Sequence, residues 1–375
     1  MTDPFSREAI SALGKPTPFF LFSHAKIKER YEAFEDAFPD AEICFAMKAN
    51  AERELLETLR DLGSSYEVAS KHELEMLAAI NVDPARIIYG TSVKPAEHIR
   101  AFHAYGVDRY ACDSISELQK IAANAPGARV YVRILVDDTG SVFKFSEKFG
   151  TSRDAAAALM HSAKELGLKP AGLSFHVGSQ ASNPKAWAEA LEYIRPVIDQ
   201  LAAHGIQLEF INMGGGFPCA YASFEDIITL NEIAEHTLAA YKQLPYQPKI
   251  LLEPGRGIAA ESAVLIADVI ARIERKEHTW LFLDVGVYGG LFETMAYQGS
   301  TRYRVSSLRP SFDAGQASFA IAGPTGDSPD VITREALLPA DIDVGDKLVF
   351  HDVGAYSLVA ISPFNGFPKP GVYFV

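Results

Sequence analysis

From Ile43 to Glu253, short apolar runs rich in β-formers alternate with longer Ala/Leu/Glu-rich stretches of helical period, the pattern of βα units on a parallel sheet. The runs read ICFAMK, SSYEV, RIIYG, VDRYACD, RVYVRIL, LSFHV, LEFINMG and ILLE. Eight strands separated by helices predict a (β/α)8 TIM barrel, and a span of roughly 210 residues suits that fold. A doubly wound sheet would leave a similar series of runs, so the count alone does not choose between them.

After Arg256 the texture changes. AVLIADVIARI, WLFLDV, SFAIAG, KLVFHDV and GVYFV are separated by Gly, Pro and Asp without long helical stretches, which predicts a second, β-rich domain of sandwich or barrel type. The early FFLFS segment, residues 19–23, precedes the barrel and is expected to lend that domain one more strand. The expected division is therefore a barrel over 24–261 and a β-rich domain made of 1–23 and 262–375.

Composition narrows the partners. With 375 residues, 48% apolar and 22% charged, the chain can bury one large core and a smaller one. A formal net charge of −13 with no Lys/Arg cluster repels phosphate backbones, so nucleic acid is not expected as a partner, whereas a small cationic substrate is tolerated. No run approaches the roughly 18 apolar residues of a membrane helix. Met1 to Ala12 lacks the apolar block of a signal peptide, which makes the cytoplasm the expected location. Cys44, Cys112 and Cys219 are few and far apart, as suits reduced thiols better than disulfides or a metal site, and no metal is expected.

In a (β/α)8 barrel, chemistry gathers where the strands end. Lys48 closes the first run, Glu67 the second, Arg133 falls within the fifth, His176 follows the sixth, Gly214 to Gly216 follow the seventh, and Glu253 ends the eighth. Desolvation at such a rim lowers an amine's pKa and favours the neutral nucleophile that forms a Schiff base; the plainer reading of Lys48 is a side chain snorkelling at a strand end. The GGGF loop and the EPGRG turn can bring backbone N–H groups and Arg256 to a phosphate, or can merely make tight βα turns. Glu253 discriminates between reactions, because a carboxylate at the ring nitrogen of pyridoxal phosphate (PLP) keeps that nitrogen protonated and the ring a strong electron sink. Paired only with Arg256, it would be structural. His176 in FHVGSQ can lie against a cofactor ring with Ser179 on its phosphate, or be a satisfied core histidine.

Taken in order, these motifs resemble the ornithine and diaminopimelate decarboxylase family, most of all its bacterial ornithine decarboxylase-like members, whose alanine racemase-type fold joins a PLP-binding barrel to a β domain. FAMKAN, EVASKHEL, CDSISEL, KFG, FHVGSQ, NMGGGFP, EPGRG, DVGVYGG, GPTGDSPD, GAY and FNGFP carry the likeness along essentially the whole chain. It implies that Lys48 binds PLP covalently, His176 stacks on the ring and Glu253 meets the ring nitrogen. Ser179, Gly215, Gly216, Gly255, Arg256 and Tyr356 would hold the phosphate, with Glu67 and Arg133 beside the cofactor. Family members form head-to-tail homodimers with shared sites, so Asp327 and Tyr356 are expected to serve the other subunit's Lys48.

GPTGDSPD is more like decarboxylases of basic amino acids than those of diaminopimelate, because Asp327 can pair with a distal ammonium group. That points to ornithine or a similar diamino acid and, with ornithine, to polyamine synthesis; Asp284 is a second candidate contact. The departure is Gly326, where family members carry the cysteine that reprotonates the substrate carbon. Another acid or water replaces it, or protonation strays to the cofactor, or the vacated space admits a larger conjugated amino acid, as in siderophore or modified-peptide assembly. A catalytically impaired regulatory homologue is the remaining alternative. A racemase is disfavoured, since racemases of this fold put arginine rather than glutamate at the ring nitrogen.

Overall fold

The computed structural model describes residues 3–145, 148–223, 227–296, 301–309 and 315–375. The chain divides into two compact units, one of Lys28–Pro218 with Ile227–Gly257, the other of Met1–Ile27, Cys219–Asp226 and Ile258–Val375.

The first unit is a closed barrel of eight parallel strands in chain order: Glu42–Ala46, Ser65–Val68, Ile87–Tyr89, Arg109–Cys112, Arg129–Arg133, Lys169–Ser174, Phe210–Asn212 and Lys249–Leu252. Every one of the eight apolar runs supplies one strand, and closure rules out the doubly wound alternative. The intervening helices bury one face. Arg53–Asp61 turns Leu55, Leu56 and Leu59 inward at helical spacing, and Ala186–Ala203 buries Trp187, Leu191, Ile194, Ile198 and Leu201. Side-chain caps set the starts of two others, Lys71–Ala79 and Leu230–Tyr241: Ser70 accepts from the Glu73 N–H, and Thr229 and Glu232 form a reciprocal capping box.

Because side chains alternate along a strand, residues two apart share a face, and the barrel interior is layered accordingly. Its middle layer is a buried cluster of Cys44, Ile88, Ala111, Tyr131, Ala171, Phe210 and Leu251, with Tyr131 edge-on to Phe210 at 5.6 Å. Each large member contributes about 1.5–3 kcal/mol by burial. Two residues earlier on the same parity come Glu42, Arg109, Arg129 and Lys249; two residues later come Asp113, Arg133, Asn212 and Glu253. The apolar layer thus separates two polar ends.

One run needs correcting. The first strand stops at Ala46, and Lys48 sits on a separate single turn of 3-10 helix, Met47–Ala49, closed by the Asn50 N–H on the Met47 carbonyl. The Ala46 N–H has left the sheet for the carbonyl of Pro254, so the chain bends over the barrel rim before the lysine.

The second unit is built on an eight-stranded mixed sheet. Phe19–Phe22 runs antiparallel to Ala263–Ile266 and parallel to Gly371–Phe374, and all four of its residues are buried, which accounts for the FFLF run. Thr279–Leu283, Gln316–Ala322, Val331–Pro339, Val305–Ser307 and Lys347–His351 complete the sheet. No helix among the described residues is long and apolar enough to cross a membrane.

Candidate active site

Ten of the residues singled out from sequence lie in the barrel unit: Lys48, Glu67, Arg133, His176, Ser179, Gly215, Gly216, Glu253, Gly255 and Arg256. Asp284, Asp327 and Tyr356 lie in the β-rich unit.

The Lys48 ammonium donates to Glu67 Oε2 at 2.7 Å, with the lysine side chain 45% exposed and the glutamate 4% exposed. The amine therefore stands at an accessible mouth while its carboxylate partner is sunk in the wall. Gly90, at the end of the neighbouring strand, leaves the space this carboxylate fills; any side chain there would overlap Glu67. Glu253 is the second carboxylate of the mouth. Burial, then the charge of Glu67, pushes its pKa up to about 7, against the lowering effect of Lys48, an Asn212 hydrogen bond and Arg133. Glu253 Oε1 accepts from Asn212 Nδ2 at 2.6 Å.

Arg133 differs from the other basic residues of the barrel interior. Its guanidinium has no hydrogen bond or ion pair among the described residues and lies 5.9 Å from the Phe149 ring centre. Burial pulls its pKa down, opposed by Glu253, Glu67 and Asp113. A partly buried guanidinium without a carboxylate is complementary to an anionic or strongly accepting ligand.

His176 follows its strand, and its Nδ1 accepts from the Gly178 N–H at 3.1 Å, which leaves the proton of the neutral ring on Nε2. Burial, reinforced by Arg133 and Lys48, holds its pKa well below the ordinary value, so the ring is neutral. Phe145 packs edge-on against it at 5.2 Å. Ser179 belongs to a short antiparallel pair, Ser141–Phe143 with Ser179–Ala181, which the sequence pattern did not reveal. Its hydroxyl accepts from Arg256 Nε at 3.3 Å, and the Arg256 guanidinium lies 5.2 Å from the Phe143 ring centre.

The glycine turn is shaped by close approach. Gly214 and Gly216 have φ of +68° and +100°, and a Cβ on either would strike the carbonyl of Phe175 or Gly178. Gly215 backs onto the carbonyl of Glu253, and Gly255 onto Ala46 and Ala49. Sequence reasoning passed over Asn212, although its parity with Phe210 places it on the inner face next to Glu253.

In the β-rich unit, Asp327 accepts a short hydrogen bond from the Tyr288 phenol, whose ring stacks on Phe364 at 4.4 Å. That bond raises the phenol's pKa, keeping it a donor. Asp330, 2% exposed, ties this loop to the Gly286 turn by accepting from the N–H groups of Val287 and Thr325 and from the Thr325 hydroxyl. Asp284 accepts from the Asp268 N–H at 2.9 Å. Tyr356 has a φ of +55°, a conformation that costs energy in a residue with a side chain. A Cβ at Gly326 would meet nothing within 4 Å.

An accessible amine at the mouth of a (β/α)8 barrel, a buried carboxylate, a neutral imidazole and a guanidinium with no ion pair among the described residues define a cofactor-dependent enzyme of the PLP class, and they fit that cofactor's aldehyde, ring nitrogen, ring face and polar substituents. The family model described as "Pyridoxal-dependent decarboxylase, pyridoxal binding domain" matches residues 24–260, and the chain belongs to that family: it is a PLP-dependent amino acid decarboxylase. More particularly, it is 33% identical over 371 residues to a lysine/ornithine decarboxylase of Selenomonas ruminantium, covering 96% of this chain and 91% of the relative. The crystal structure of the lysine/ornithine decarboxylase from Vibrio vulnificus complexed with putrescine superposes with a TM-score of 0.89 at 29% identity, covering 100% of this chain and 99% of the other. The arginine decarboxylase of Paramecium bursaria Chlorella virus, bound to agmatine, gives a TM-score of 0.91 at 27% identity over 99% and 100% of the two chains.

Proposed function

We propose that this chain decarboxylates an L-diamino acid, ornithine or lysine in chemical class, to the corresponding diamine and carbon dioxide. The observation that carries the reading is the pairing of the accessible Lys48 amine with the sunken Glu67 carboxylate at 2.7 Å, in a mouth that also holds Glu253.

Lys48 would hold the cofactor covalently through its amine, and Glu67, at 2.7 Å, is placed to take a proton from that ammonium as the bond forms and to return it when the amine is set free. His176, neutral and fixed by Gly178, offers a flat face to the ring. Glu253 keeps a proton on the ring nitrogen. Arg256, Ser179 and the N–H groups of Gly215, Gly216 and Gly255 take the phosphate, with Arg133 on the ring's polar edge. When bound, PLP supplies the electron sink that makes loss of the α-carboxylate feasible. The working division is a cofactor-binding barrel, residues 24–261, and a β-rich domain, 1–23 with 262–375. The active species is a cytoplasmic homodimer in which Asp327 and Tyr356 serve the partner's barrel. Asp327 and Asp284 receive the distal ammonium, and Tyr356 joins the phosphate site.

A second reading, decarboxylation of a larger conjugated amino acid, is favoured by one observation: the open space around Gly326. Mass spectrometry of products after incubating the PLP-loaded protein with ornithine, lysine, arginine and diaminopimelate separates the two. Conversion of ornithine or lysine to its diamine with PLP regenerated is the expected result. A protein that loads PLP and leaves all four intact sinks the diamino acid reading in favour of a conjugate.

A further inference from the structure

We infer that Asn212 is the positioning residue of this site: it fixes Glu253 in the setting that meets the cofactor's ring nitrogen and locks that carboxylate to the glycine turn assigned to the phosphate. The inference rests on the PLP reading above and goes beyond it to a residue that touches neither substrate nor cofactor.

Asn212 is 0% exposed and ends its strand on the inner face, two residues after Phe210 of the middle layer. The orientation of its amide follows from the partners. The Gly214 N–H at 2.9 Å is a donor, so the atom it meets is the carbonyl Oδ1, and Nδ2 must face Glu253 Oε1 at 2.6 Å. A third bond, from the Glu253 N–H to the Gly214 carbonyl at 2.8 Å, closes a triangle of Asn212, Gly214 and Glu253. Within it one carboxylate oxygen is taken by the amide, and Oε2 is left for the ring nitrogen. An N–H donor stabilises the charged carboxylate against its own burial and against Glu67, the two influences that favour protonation. Gly214, with a φ of +68° and no room for a side chain, transmits the placement of the amide directly into the turn.

The test uses the full-length PLP-loaded protein with Asn212→Leu and Asn212→Asp. Leucine keeps the volume and removes both bonds; aspartate keeps the acceptor for Gly214 but makes a donor only when protonated. Three quantities are read: the pH midpoint of the cofactor's visible absorbance change, the PLP dissociation constant, and the melting temperature of the cofactor-free protein. For Asn212→Leu, the acid-side midpoint should rise by about one pH unit and PLP affinity fall about tenfold. For Asn212→Asp, affinity should stay within about threefold while turnover relative to the native protein improves as the pH is lowered. A lowered melting temperature with unmoved midpoints in both variants overturns the inference and leaves Asn212 a packing residue; should the leucine variant not fold, the aspartate midpoint and pH profile decide alone. Since absorbance and affinity are read without substrate, they hold even if no tested amino acid is converted. Failure of the native protein to load PLP would instead sink the proposed function itself.

Discussion

The two ends of the barrel are built from the same strands, on the same side-chain parity, with similar numbers of charged residues, yet their electrostatics are opposite. At the N-terminal end Glu42 accepts from Ser65, Arg109 and Lys249, and Arg129 grips Asp108 through two nitrogens while reaching Glu209. Arg109, Arg129 and Lys249 each have a carboxylate there, and Arg109, Ser65 and Lys249 hold the Glu42 pKa down at about 2 in spite of its burial. At the C-terminal end the charge of Glu67 raises the proton affinity of Glu253, the half-exposed Lys48 amine pairs with Glu67, and Arg133 has no carboxylate partner among the described residues. Arg109, Arg129 and Lys249 are all ion-paired at the first end. At the second, the proposed cofactor would supply the anionic group and the ring nitrogen to Arg133 and Glu253, so within one scaffold incompletely paired charge marks the proposed working end.

The largest separation between the ends should come from their lysines. Lys48→Ala is expected to reduce turnover to background, because it removes the amine proposed to carry the cofactor; an active Lys48→Ala protein would sink the assignment. Next come the two buried glutamates, whose neutral analogues should act in opposite directions on stability. Glu253 has a folded-state pKa of about 7, above the ordinary 4.5 of the unfolded chain. Below about pH 4.5 the carboxyl is protonated in both states; as pH rises towards 7 only the unfolded chain gives up its proton, so this group's stability contribution is lost across that window. Glu253→Gln should therefore raise the stability of the cofactor-free protein at pH 8 by on the order of 1–2 kcal/mol. The same change should cost turnover on the order of 100-fold by removing the partner proposed for the ring nitrogen. Denaturant melts and steady-state rates on one preparation check both signs; a less stable variant would mean that Glu253 is paired more strongly than its burial allows.

Glu42 is the converse. Its folded pKa of about 2 lies below the unfolded 4.5, so its contribution is present above about pH 4.5 and is lost as pH falls towards 2. Glu42→Gln should destabilise the fold by about 2–3 kcal/mol at pH 7, since it strands the buried Arg109, with the deficit shrinking below pH 4.5. Turnover at saturating PLP should hardly change. Urea unfolding at pH 7 and pH 3.5 measures the difference; a deficit that does not depend on pH would show that the Glu42 charge is not what stabilises this end.

The contrast also explains what could be read from the chain. All eight barrel strands were legible, because each is a short run of apolar and β-branched residues bounded by turn formers, and so was the placement of Lys48, His176, the glycine turn and Arg256 at or just beyond the ends of those runs. The β-rich unit was legible as a texture, including the FFLF strand, but Val331–Pro339 was missed: the adjacent charges Arg334 and Glu335 interrupt its alternation and only three of its nine residues are buried. The pair Ser141–Phe143 with Ser179–Ala181 was invisible because each strand is three residues long and its partner lies nearly forty residues away. Asn212 and Glu253 are 41 residues apart, and Glu42 meets Arg109 and Lys249 at separations of 67 and 207. Only closure of the barrel joins them, so no local pattern could distinguish the completed charge network at one end from the incomplete one at the other.

The smallest predicted effect sharpens the comparison most. Lys249, like Lys48, is about half exposed and bonded to a buried glutamate, in this case Glu42 at 3.1 Å. The local chemistry of the two lysines is nearly the same, but Glu42 keeps Arg109 and Ser65 when Lys249 is removed, whereas among the described residues Glu67 has Lys48 alone as an ion-pair partner. An exposed ion pair of this kind contributes about 0.2–1 kcal/mol. Lys249→Ala should accordingly lower stability by less than about 1 kcal/mol, a loss that fades in high salt, and leave turnover within about twofold. A tenfold loss of turnover would show that charge at the N-terminal end is felt through the apolar layer at the cofactor mouth, and the division of the barrel into a structural and a chemical end would fail.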